Sequence, residues 1–492
     1  MKPAQIAFTR PVRALLLLCL VSLCGVRARA RAVDTPPSRA ADALARQLVA
    51  TTTQSVEQML RHGTLTMTLA DIVQRAIEVA PELQRERALR AAGEAVVSRT
   101  ELDLLPRLRV SAGYRRFSEI ELALPAGGMA ASQNTLVLAS NGASAFQQFP
   151  NLFSARAELS FSPTEFLWLQ LPSHQAARAT DAANRARMDA ERAATARRAI
   201  EAAYAYMQAR AQRHVAQAAE HRAEAHLSQA QLFGQAGTLG PDAVLAARAA
   251  FARSGLSVTE RSVAEAQARA QLASLLRERL PDELGIAQRL DRPTPRPREA
   301  LAALTARARI QRPELRALRS LVTAQDRLTD AAQASRLPQL SLSSGVDLQN
   351  PAPRRFPVSN ELGTAWDVGV GVSWSPNAAL AGTQRVREAE AETARARADL
   401  ATMSAAIERE VAVAWAAYEG AGRAQTAAQR SADLAHESYL VHRERFAARS
   451  LDAAALLRAD ETLSDATLSL VVTAIQLRLA EARLDYALGN LP

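Results

Sequence analysis

Residues 336–345 read RLPQLSLSSG, and residues 104–113 read LLPRLRVSAG. In both places a Leu-Pro pair follows a long stretch rich in Ala, Arg and Glu, which is typical of a helix. After the pair, polar and apolar residues alternate, and a period of two predicts a β-strand with one apolar and one polar face. Because proline cannot continue a helix, the sequence predicts that the chain passes twice from a helix into a short strand.

The two transitions belong to an internal duplication. The tripeptide PEL at 81–83 recurs at 313–315, 232 positions later, and the same offset relates the Leu-Pro pairs at 105–106 and 337–338. Each copy then continues to a second alternating stretch, which ends in an aromatic residue followed by Ser-Pro. A series of matches at one offset indicates a repeated structural unit.

The order of these signals predicts the organisation of the whole chain. Each copy reads as helix, strand, strand, long helix and helix, and a proline-rich stretch at 281–299 separates the copies. We predict a signal peptide at 1–30, an N-terminal extension at 31–67, a first repeat at 68–281 with strands at about 106–117 and 154–163, and a second repeat at 282–492 with strands at about 338–349 and 364–376.

The first 30 residues have the pattern of an export signal. A basic start is followed by the apolar run ALLLLCLVSLC at 14–24 and by small residues at 28–30, which offer a cleavage site. Both cysteines of the chain, Cys19 and Cys24, lie in this segment, so we expect no disulfide in the mature protein. Lipidation of Cys24 remains an alternative to cleavage near Ala30.

Charge and motifs bear on the class of function. The formal net charge is +10, but beyond the signal segment the arginines alternate with Glu and Asp along the predicted helices. This pattern argues against nucleic-acid binding. No motif of a nucleophile elbow, a phosphate loop or a metal cage is found. We therefore expect no enzyme activity and no catalytic, cofactor-binding or metal-binding residues.

The predicted strands have the length of membrane-spanning strands. About ten residues are enough to cross a bilayer when a strand is tilted. Phe161 and Trp374 stand at strand ends, where an aromatic belt would meet the membrane interface. Four strands cannot close a barrel, so membrane-spanning strands would require several chains to share one, and three chains would supply twelve. The alternative is a soluble sheet with one buried face.

The predicted helices are too long for an ordinary compact domain. Residues 173–236 contain no proline, and a helix of this length spans about 95 Å. Apolar residues recur at spacings of three and four, as at Ile200, Tyr204 and Met207, which is typical of coiled-coil packing. Either the helices form a ring around a polar lumen, or they form an isolated antiparallel coiled coil.

Taken together, the duplicated PEL and Leu-Pro elements, the paired aromatic-Ser-Pro motifs and the two helical turns make the chain similar to one known family. From residue 68 to 491 it resembles the TolC-type outer-membrane efflux proteins, also called outer membrane factors. The resemblance implies a mainly α fold with a small β part, built from a duplicated helix-strand-strand-helix-helix unit. It further implies a homotrimer with a 12-stranded transmembrane β-barrel, continued by a long periplasmic α-helical barrel.

The resemblance also implies a function and partners. Members of this family lie in the outer membrane of Gram-negative bacteria and extend into the periplasm. They are passive conduits from the periplasm to the exterior, and they serve as the exit duct of a tripartite efflux pump or a type I secretion system. Their partners are a periplasmic adaptor, or membrane fusion, protein and an inner-membrane transporter. The alternative function is a periplasmic coiled-coil scaffold or adhesin without pore activity.

By the same resemblance, the two helical turns would form the periplasmic tip. The residues expected to contact the adaptor are Gly237, Thr238, Leu239, Arg449, Ser450 and Leu451. Family members often narrow the tip with carboxylates, and this chain has Arg458 where an acid would be expected, so the candidate charges at the tip are Asp242, Asp452 and Arg458. Both turns could instead serve only to cap helices.

Overall fold

Helices account for most of the residues that the structure describes. The computed structural model describes residues 58–118, 129–132, 135–138, 144–147, 149–288, 290, 299–352, 354, 359–448 and 453–490. The expected signal peptide at 1–30 lies outside this range, and so do the expected tip residues Arg449, Ser450, Leu451 and Asp452.

The described part of the chain contains eight longer helices, numbered in chain order: α1 (Leu69–Val79), α2 (Pro81–Leu102), α3 (Leu171–Gln235), α4 (Pro241–Leu276), α5 (Leu301–Gln311), α6 (Pro313–Gln333), α7 (Pro376–Ala447) and α8 (Ala453–Leu488). A short helix, Pro163–Glu165, and a π-helical turn, Phe166–Gln170, lead into α3, and a 3₁₀ turn, Ala334–Arg336, follows α6. At 1.5 Å per residue, α3 and α7 are about 98 Å and 108 Å long.

Local chemistry explains where these helices begin. Thr68 and Asp71 form a capping box at α1, in which the Thr68 hydroxyl accepts from the Asp71 N–H and the Asp71 carboxylate accepts from the Thr68 N–H. Proline occupies the first turn of α2, α3, α4, α6 and α7, where its missing N–H costs no hydrogen bond.

The long helices lie side by side through small side chains. Most of the residues that α3 buries are alanines, which let neighbouring helices approach closely. In the half of the molecule next to the turns, α3 packs against α4 and α8, and α8 packs against α7. In the half next to the strands, α3 packs against α2 and α6, and α6 packs against α7.

Among the described residues, nine strands form three sheets. The strands are β1 (Leu65–Met67), β2 (Arg107–Arg116), β3 (Met129–Ser132), β4 (Thr135–Leu138), β5 (Ser144–Gln147), β6 (Asn151–Phe161), β7 (Leu284–Ile286), β8 (Gln339–Asn350) and β9 (Gly363–Ser373). The main sheet is antiparallel with the order β2-β6-β8-β9. Strands β3, β4 and β5 form a separate antiparallel sheet within the connection from β2 to β6.

The main sheet and the helices share one lateral order. Helix α2 leads into β2, β6 leads into α3, α6 leads into β8, and β9 leads into α7. Neighbouring strands therefore continue into neighbouring helices, in the order α2-α3-α6-α7. Among the described residues, this order ends at β2 with α2 on one side and at β9 with α7 on the other.

A belt around the middle of α3 joins the two segments that flank the first repeat. Strands β1 and β7 pair in parallel, with Met67 opposite Ile286. The Tyr206 hydroxyl donates to the Leu284 carbonyl at 3.1 Å, and the Arg210 guanidinium donates to the same carbonyl. Because Tyr206 and Arg210 are buried, these bonds fix the belt to α3 in a site shielded from water.

Helix α8 contains the one described segment, Ala454–Leu488, that is long and apolar enough to cross a membrane by length and composition. In the fold this helix packs against α7 and α3, and Leu470, Ile475 and Leu484 are buried there. Packing inside the helical body therefore accounts for its apolar character.

Candidate functional site

One face of the main sheet is apolar and exposed. Val110 on β2 and Val370 on β9 are 73% and 72% exposed. Register places further apolar side chains on this face, because Leu108 lies opposite Leu159 and Val346 lies opposite Trp366. A soluble protein rarely exposes so continuous an apolar surface. The residues of this apolar face with large exposed side chains are Leu108, Val110, Tyr114, Phe153, Leu159, Leu342, Val346, Trp366, Val368, Val370 and Val372.

The opposite face of the sheet is polar and carries an ion cluster. The Arg156 guanidinium on β6 donates to Asp347 on β8 and to Asp367 on β9, at 2.5 Å and 3.0 Å. Its Nε also donates to Glu158 at 3.3 Å. One arginine therefore ties together three strands through three carboxylates.

Gly345 leaves room for this cluster. A Cβ at this position would lie 2.7 Å from Nη2 of Arg156, so the guanidinium would have to shift. Gly345 lies opposite Glu158 on one side and Asp367 on the other. The glycine thus leaves the space that the guanidinium fills between two acidic neighbours.

Both expected interface aromatics stand at strand ends. Phe161 is the last residue of β6, and its ring packs against Phe166 of the π-helical turn with centroids 5.7 Å apart. Trp374 directly follows β9, is exposed, and its indole Nε1 donates to the Arg336 carbonyl at 3.4 Å. Both residues therefore lie at the junction between the sheet and the helices.

The first helical turn is well defined. Gly237 has a φ of +69°, a left-handed conformation that favours glycine. The Thr238 N–H and hydroxyl both donate to the Phe233 carbonyl, at 2.9 Å and 3.0 Å, and close the end of α3. Leu239 packs partly buried against Phe446 and its neighbours. The sharp turn between α3 and α4 follows from these contacts.

Of the candidate charges at the tip, Asp242 and Arg458 are described. Asp242 is exposed in the first turn of α4, where its carboxylate faces the positive end of the helix dipole. Arg458 is exposed on α8. Neither has an ion-pair partner among the described residues, so the structure does not bring these two together.

The chain has two long helical hairpins, the first formed by α3 and α4 and the second by α7 and α8. Aromatic contacts join these hairpins next to the turns. The rings of Phe233 on α3 and Phe446 on α7 lie 5.7 Å apart. Two turns of helix further from the tip, His226 on α3 and Tyr439 on α7 meet edge to face at 6.3 Å. Burial lowers the pKa of His226, nearby Asp460 opposes this shift and Arg222 reinforces it. The imidazole is therefore held mainly neutral.

An ion pair next to these rings links α3 to α8. The Arg222 Nε donates to Asp460 at 2.6 Å, and its Nη2 donates to the Ser464 hydroxyl at 2.7 Å. Asp460 is only 8% exposed. The sequence does not indicate this pair, because its two residues are 238 positions apart. The pattern of residues pointed to Arg458, whereas the buried acid is Asp460.

Within the described ranges, no group of three or more His, Cys, Asp or Glu side chains is arranged to hold a metal ion. The two features that stand out are the two-faced sheet and the contacts between the hairpins.

Comparisons with known proteins place this geometry in a known fold. Residues 304–490 match the family model described as outer membrane efflux protein. This match, which lies within the second repeat, confirms the resemblance inferred from the duplicated motifs. No curated protein matches the chain.

Several solved structures share the fold over nearly the whole length. The outer-membrane channel OprN matches with a TM-score of 0.69 at 17% identity, over 86% of this chain and 90% of that one. CusC, a protein that forms a transmembrane channel, matches with a TM-score of 0.68 at 17% identity, over 86% of this chain and 92% of that one. The Campylobacter jejuni CmeC outer membrane channel matches with a TM-score of 0.69 at 16% identity, over 86% and 85%. At these identities the likeness establishes the fold, which is mainly helical with some strands, as the sequence predicted.

Proposed function

We propose that this chain, whose second half is an outer membrane efflux protein domain, is the outer-membrane exit duct of a tripartite efflux pump or a type I secretion system. It acts as a passive conduit from the periplasm of a Gram-negative bacterium to the exterior. The observation that carries the proposal is the main sheet, which exposes an apolar face on one side and a charged face on the other.

The two faces of the sheet suit lipid and water respectively. A transmembrane strand places apolar side chains toward lipid and polar side chains toward a lumen. The lipid-facing surface ends at Phe161 and Trp374, where an aromatic belt meets the interface, and the contact of Phe161 with Phe166 extends it to the first helical turn. The Arg156 cluster would then line a water-filled pore.

The free edges of the sheet support a homotrimer. Strands β2 and β9 are the edges of the four-stranded sheet, and unpaired backbone groups cannot face lipid. Three copies joined from β9 of one to β2 of the next would close a 12-stranded barrel. The helices below it would close in the same way, through α7 of one copy and α2 and α4 of the next.

Exposed apolar side chains on these helices fit such a junction. Leu256 lies 15 residues after the start of α4, and Leu434 lies 13 residues before the end of α7, so both are at nearly the same height above the tip. Leu245 on α4 and Val441 on α7 likewise lie at similar heights, closer to the tip. All four side chains are exposed in a single chain, and a neighbouring copy would bury them.

The tip is the part of this duct that would meet its partners. We assign contact with a periplasmic adaptor protein to Gly237, Thr238, Leu239, Arg449, Ser450 and Leu451, and the adaptor in turn would connect the duct to an inner-membrane transporter. The rigid first turn and the partly buried Leu239 support a preformed contact surface. Asp242, Asp452 and Arg458 would set the charge at the entrance.

A periplasmic coiled-coil scaffold or adhesin is the alternative. It would explain the long helices, but it would leave the exposed apolar face of the sheet without a partner.

Reconstitution into planar lipid bilayers tests the conduit. We expect stepwise ion conductance from the detergent-purified protein. Val368→Arg, on the apolar face, should abolish insertion, because a cation at the bilayer midplane costs about 2–4 kcal/mol in each subunit. Ser343→Arg, on the polar face of neighbouring β8, is the matched control and should insert. A protein that stays soluble without detergent and never conducts would instead establish the scaffold.

Cysteine cross-linking tests the trimer. With Cys19 and Cys24 in the signal segment, the rest of the chain offers a cysteine-free background. Leu256→Cys combined with Leu434→Cys should give covalent dimers and trimers with a short bismaleimide. Leu256→Cys combined with Val413→Cys, which lies 21 positions before Leu434 on α7 and so further from the tip, should not. Equal cross-linking of both pairs would exclude the proposed alignment of α4 with α7.

A further inference from the structure

A cleft of about 440 Å³ lies where the sheet joins the helices, between the start of α3, the end of α6 and the start of α7. Its walls include Trp168, Leu169, Leu328, Leu337 and Pro338, so most of its surface is apolar. Arg385 of α7 also lines it.

The cleft borders the polar face of the sheet. It is also lined by Glu165, which binds Arg107 of the polar face of β2 at 2.8 Å, and by Gln339, the first residue of β8. Phe166, which packs on lipid-facing Phe161, does not line it. In the proposed duct the cleft therefore faces the lumen, so this inference rests on the proposed function.

The apolar walls are unusual for a surface in contact with water. Trp168 and Leu169 are 44% and 40% exposed, although the rest of this side carries Arg, Asp, Ser and Gly. Exposing such side chains forgoes the free energy of burying them, about 1.5–3 kcal/mol for a large apolar side chain. A ligand that covers them would recover part of this free energy.

The second repeat shows that the fold does not require these side chains. An offset of 213 positions relates Pro163 to Pro376 and Phe233 to Phe446, and places Ala381 and Gly382 where the first repeat has Trp168 and Leu169. The second repeat makes the same strand-to-helix junction with a regular α-helix, whereas the first contains a π-helical turn. Such turns occur frequently at functional sites.

The charges of the cleft indicate what it binds. Glu165 is neutralised by Arg107, whereas Arg385 has no ion-pair partner among the described residues. An apolar surface with one unpaired guanidinium matches a molecule that has an apolar body and one anionic group.

We propose that this cleft is a binding site for amphipathic organic anions on their way through the duct, with the apolar body against Trp168 and Leu169 and the anionic group at Arg385. A closed trimer would carry three such sites around the lumen.

Two matched dyes test the proposal on the trimer reconstituted in lipid nanodiscs. The anionic probe is 1-anilinonaphthalene-8-sulfonate, and the neutral probe is N-phenyl-1-naphthylamine, which lacks the sulfonate. The chain has four tryptophans, and replacing the other three by Phe leaves Trp168 alone as an energy donor. We expect saturable energy transfer from Trp168 to the anionic probe. A variant that keeps only Trp415, which lies far along α7, should show none.

Substitutions then separate the two parts of the site. Arg385→Gln should weaken binding of the anionic probe about tenfold, the equivalent of one charged hydrogen bond, and leave the neutral probe unchanged. Trp168→Ala, followed by the fluorescence of the dye itself, should remove saturable binding of the anionic probe. Binding that is unaffected by both substitutions would overturn the proposal.

Conductance of the same variants keeps the two proposals distinguishable. If Trp168→Ala and the original protein conduct equally while dye binding is also equal, the binding site is excluded and the duct stands. If the original protein does not conduct at all, the duct itself fails, whatever the dyes show.

Discussion

Phe233 and Phe446 face each other next to the two helical turns, with their ring centroids 5.7 Å apart. They are 213 positions apart, the offset that also separates His226 from Tyr439. Equivalent positions of the two repeats therefore meet in pairs and hold the first helical hairpin against the second. If the tip opens by separating the hairpins, these contacts must break.

Phe446→Ala should loosen the turn end without unfolding the rest of the chain. Phe446 is buried with Tyr439, Leu456 and Leu463, and removing its ring should cost about 3–5 kcal/mol locally. We expect faster amide hydrogen exchange in the last turns of α3 and α7 and unchanged exchange in the β1–β7 belt. Phe446→Leu, which keeps most of the volume, is the control, and equal exchange in both variants would contradict the role of the ring.

The ion pair between Arg222 and Asp460 should contribute more to the free energy of unfolding than an exposed pair does. Asp460→Ala leaves the Arg222 guanidinium without its carboxylate in a partly shielded site, which should cost about 1.5–3 kcal/mol. The double variant with Arg222→Ala should lose less than the sum of the single variants, because neither charge is then left alone. Thermal unfolding of the four proteins gives the coupling.

Glu461→Ala is the matched control for this cycle. Glu461 is the next residue along α8, and both it and its partner Arg253 are exposed. Removing it should leave the unfolding temperature close to unchanged. If Asp460→Ala behaves in the same way, the buried pair does not hold the hairpins together.

Acid should weaken the contact between the hairpins through His226. Its pKa in the folded protein lies below the ordinary value of about 6.5, so the unfolded chain binds more protons than the folded one between these two values. The stabilisation from neutral His226 is complete above pH 6.5 and is lost as the pH falls through the folded pKa.

Amide exchange at the ends of α3 and α7 as a function of pH measures this effect. Protection from exchange, taken relative to the intrinsic rate at each pH, should fall below pH 6.5 in the original protein, and His226→Phe should reduce this dependence. His221→Phe is the control, because the His221 side chain is 79% exposed whereas His226 is 8% exposed. Identical pH profiles for the two variants would exclude His226 as the titrating group.

Arg156→Gln should alter both ion selectivity and the stability of the sheet. Without the guanidinium, Asp347, Asp367 and Glu158 lose their shared partner, so the reversal potential in a salt gradient should shift toward cations. The assembly should also dissociate at a lower temperature. Adding Asp347→Asn should partly restore both properties.

Arg109→Gln is the control for the change in net charge. Arg109 lies on the same face of the sheet but makes no ion pair with another described residue. It should shift the reversal potential while leaving the thermal stability of the assembly unchanged. A loss of stability as large as that of Arg156→Gln would mean that the cluster has no special role.

The sequence by itself was sufficient for the mainly helical fold with some strands and for the resemblance to outer membrane efflux proteins. These follow from local signals, because proline marks the boundary between helix and strand and a period of two or of 3.6 needs only neighbouring residues. The repeat also reinforced each signal, since two copies had to agree at PEL and at Leu-Pro.

Only the tertiary structure brought together Arg156 with Asp347 and Asp367, and Arg222 with Asp460. The charges were visible along the strands and helices, but which of them meet depends on strand register and on how helices lie side by side over some 200 positions of sequence. The π-helical turn at Phe166–Gln170 was likewise absent from the pattern of residues. One extra residue in a helical turn leaves no mark on composition, and yet it decides where Trp168 and Leu169 lie.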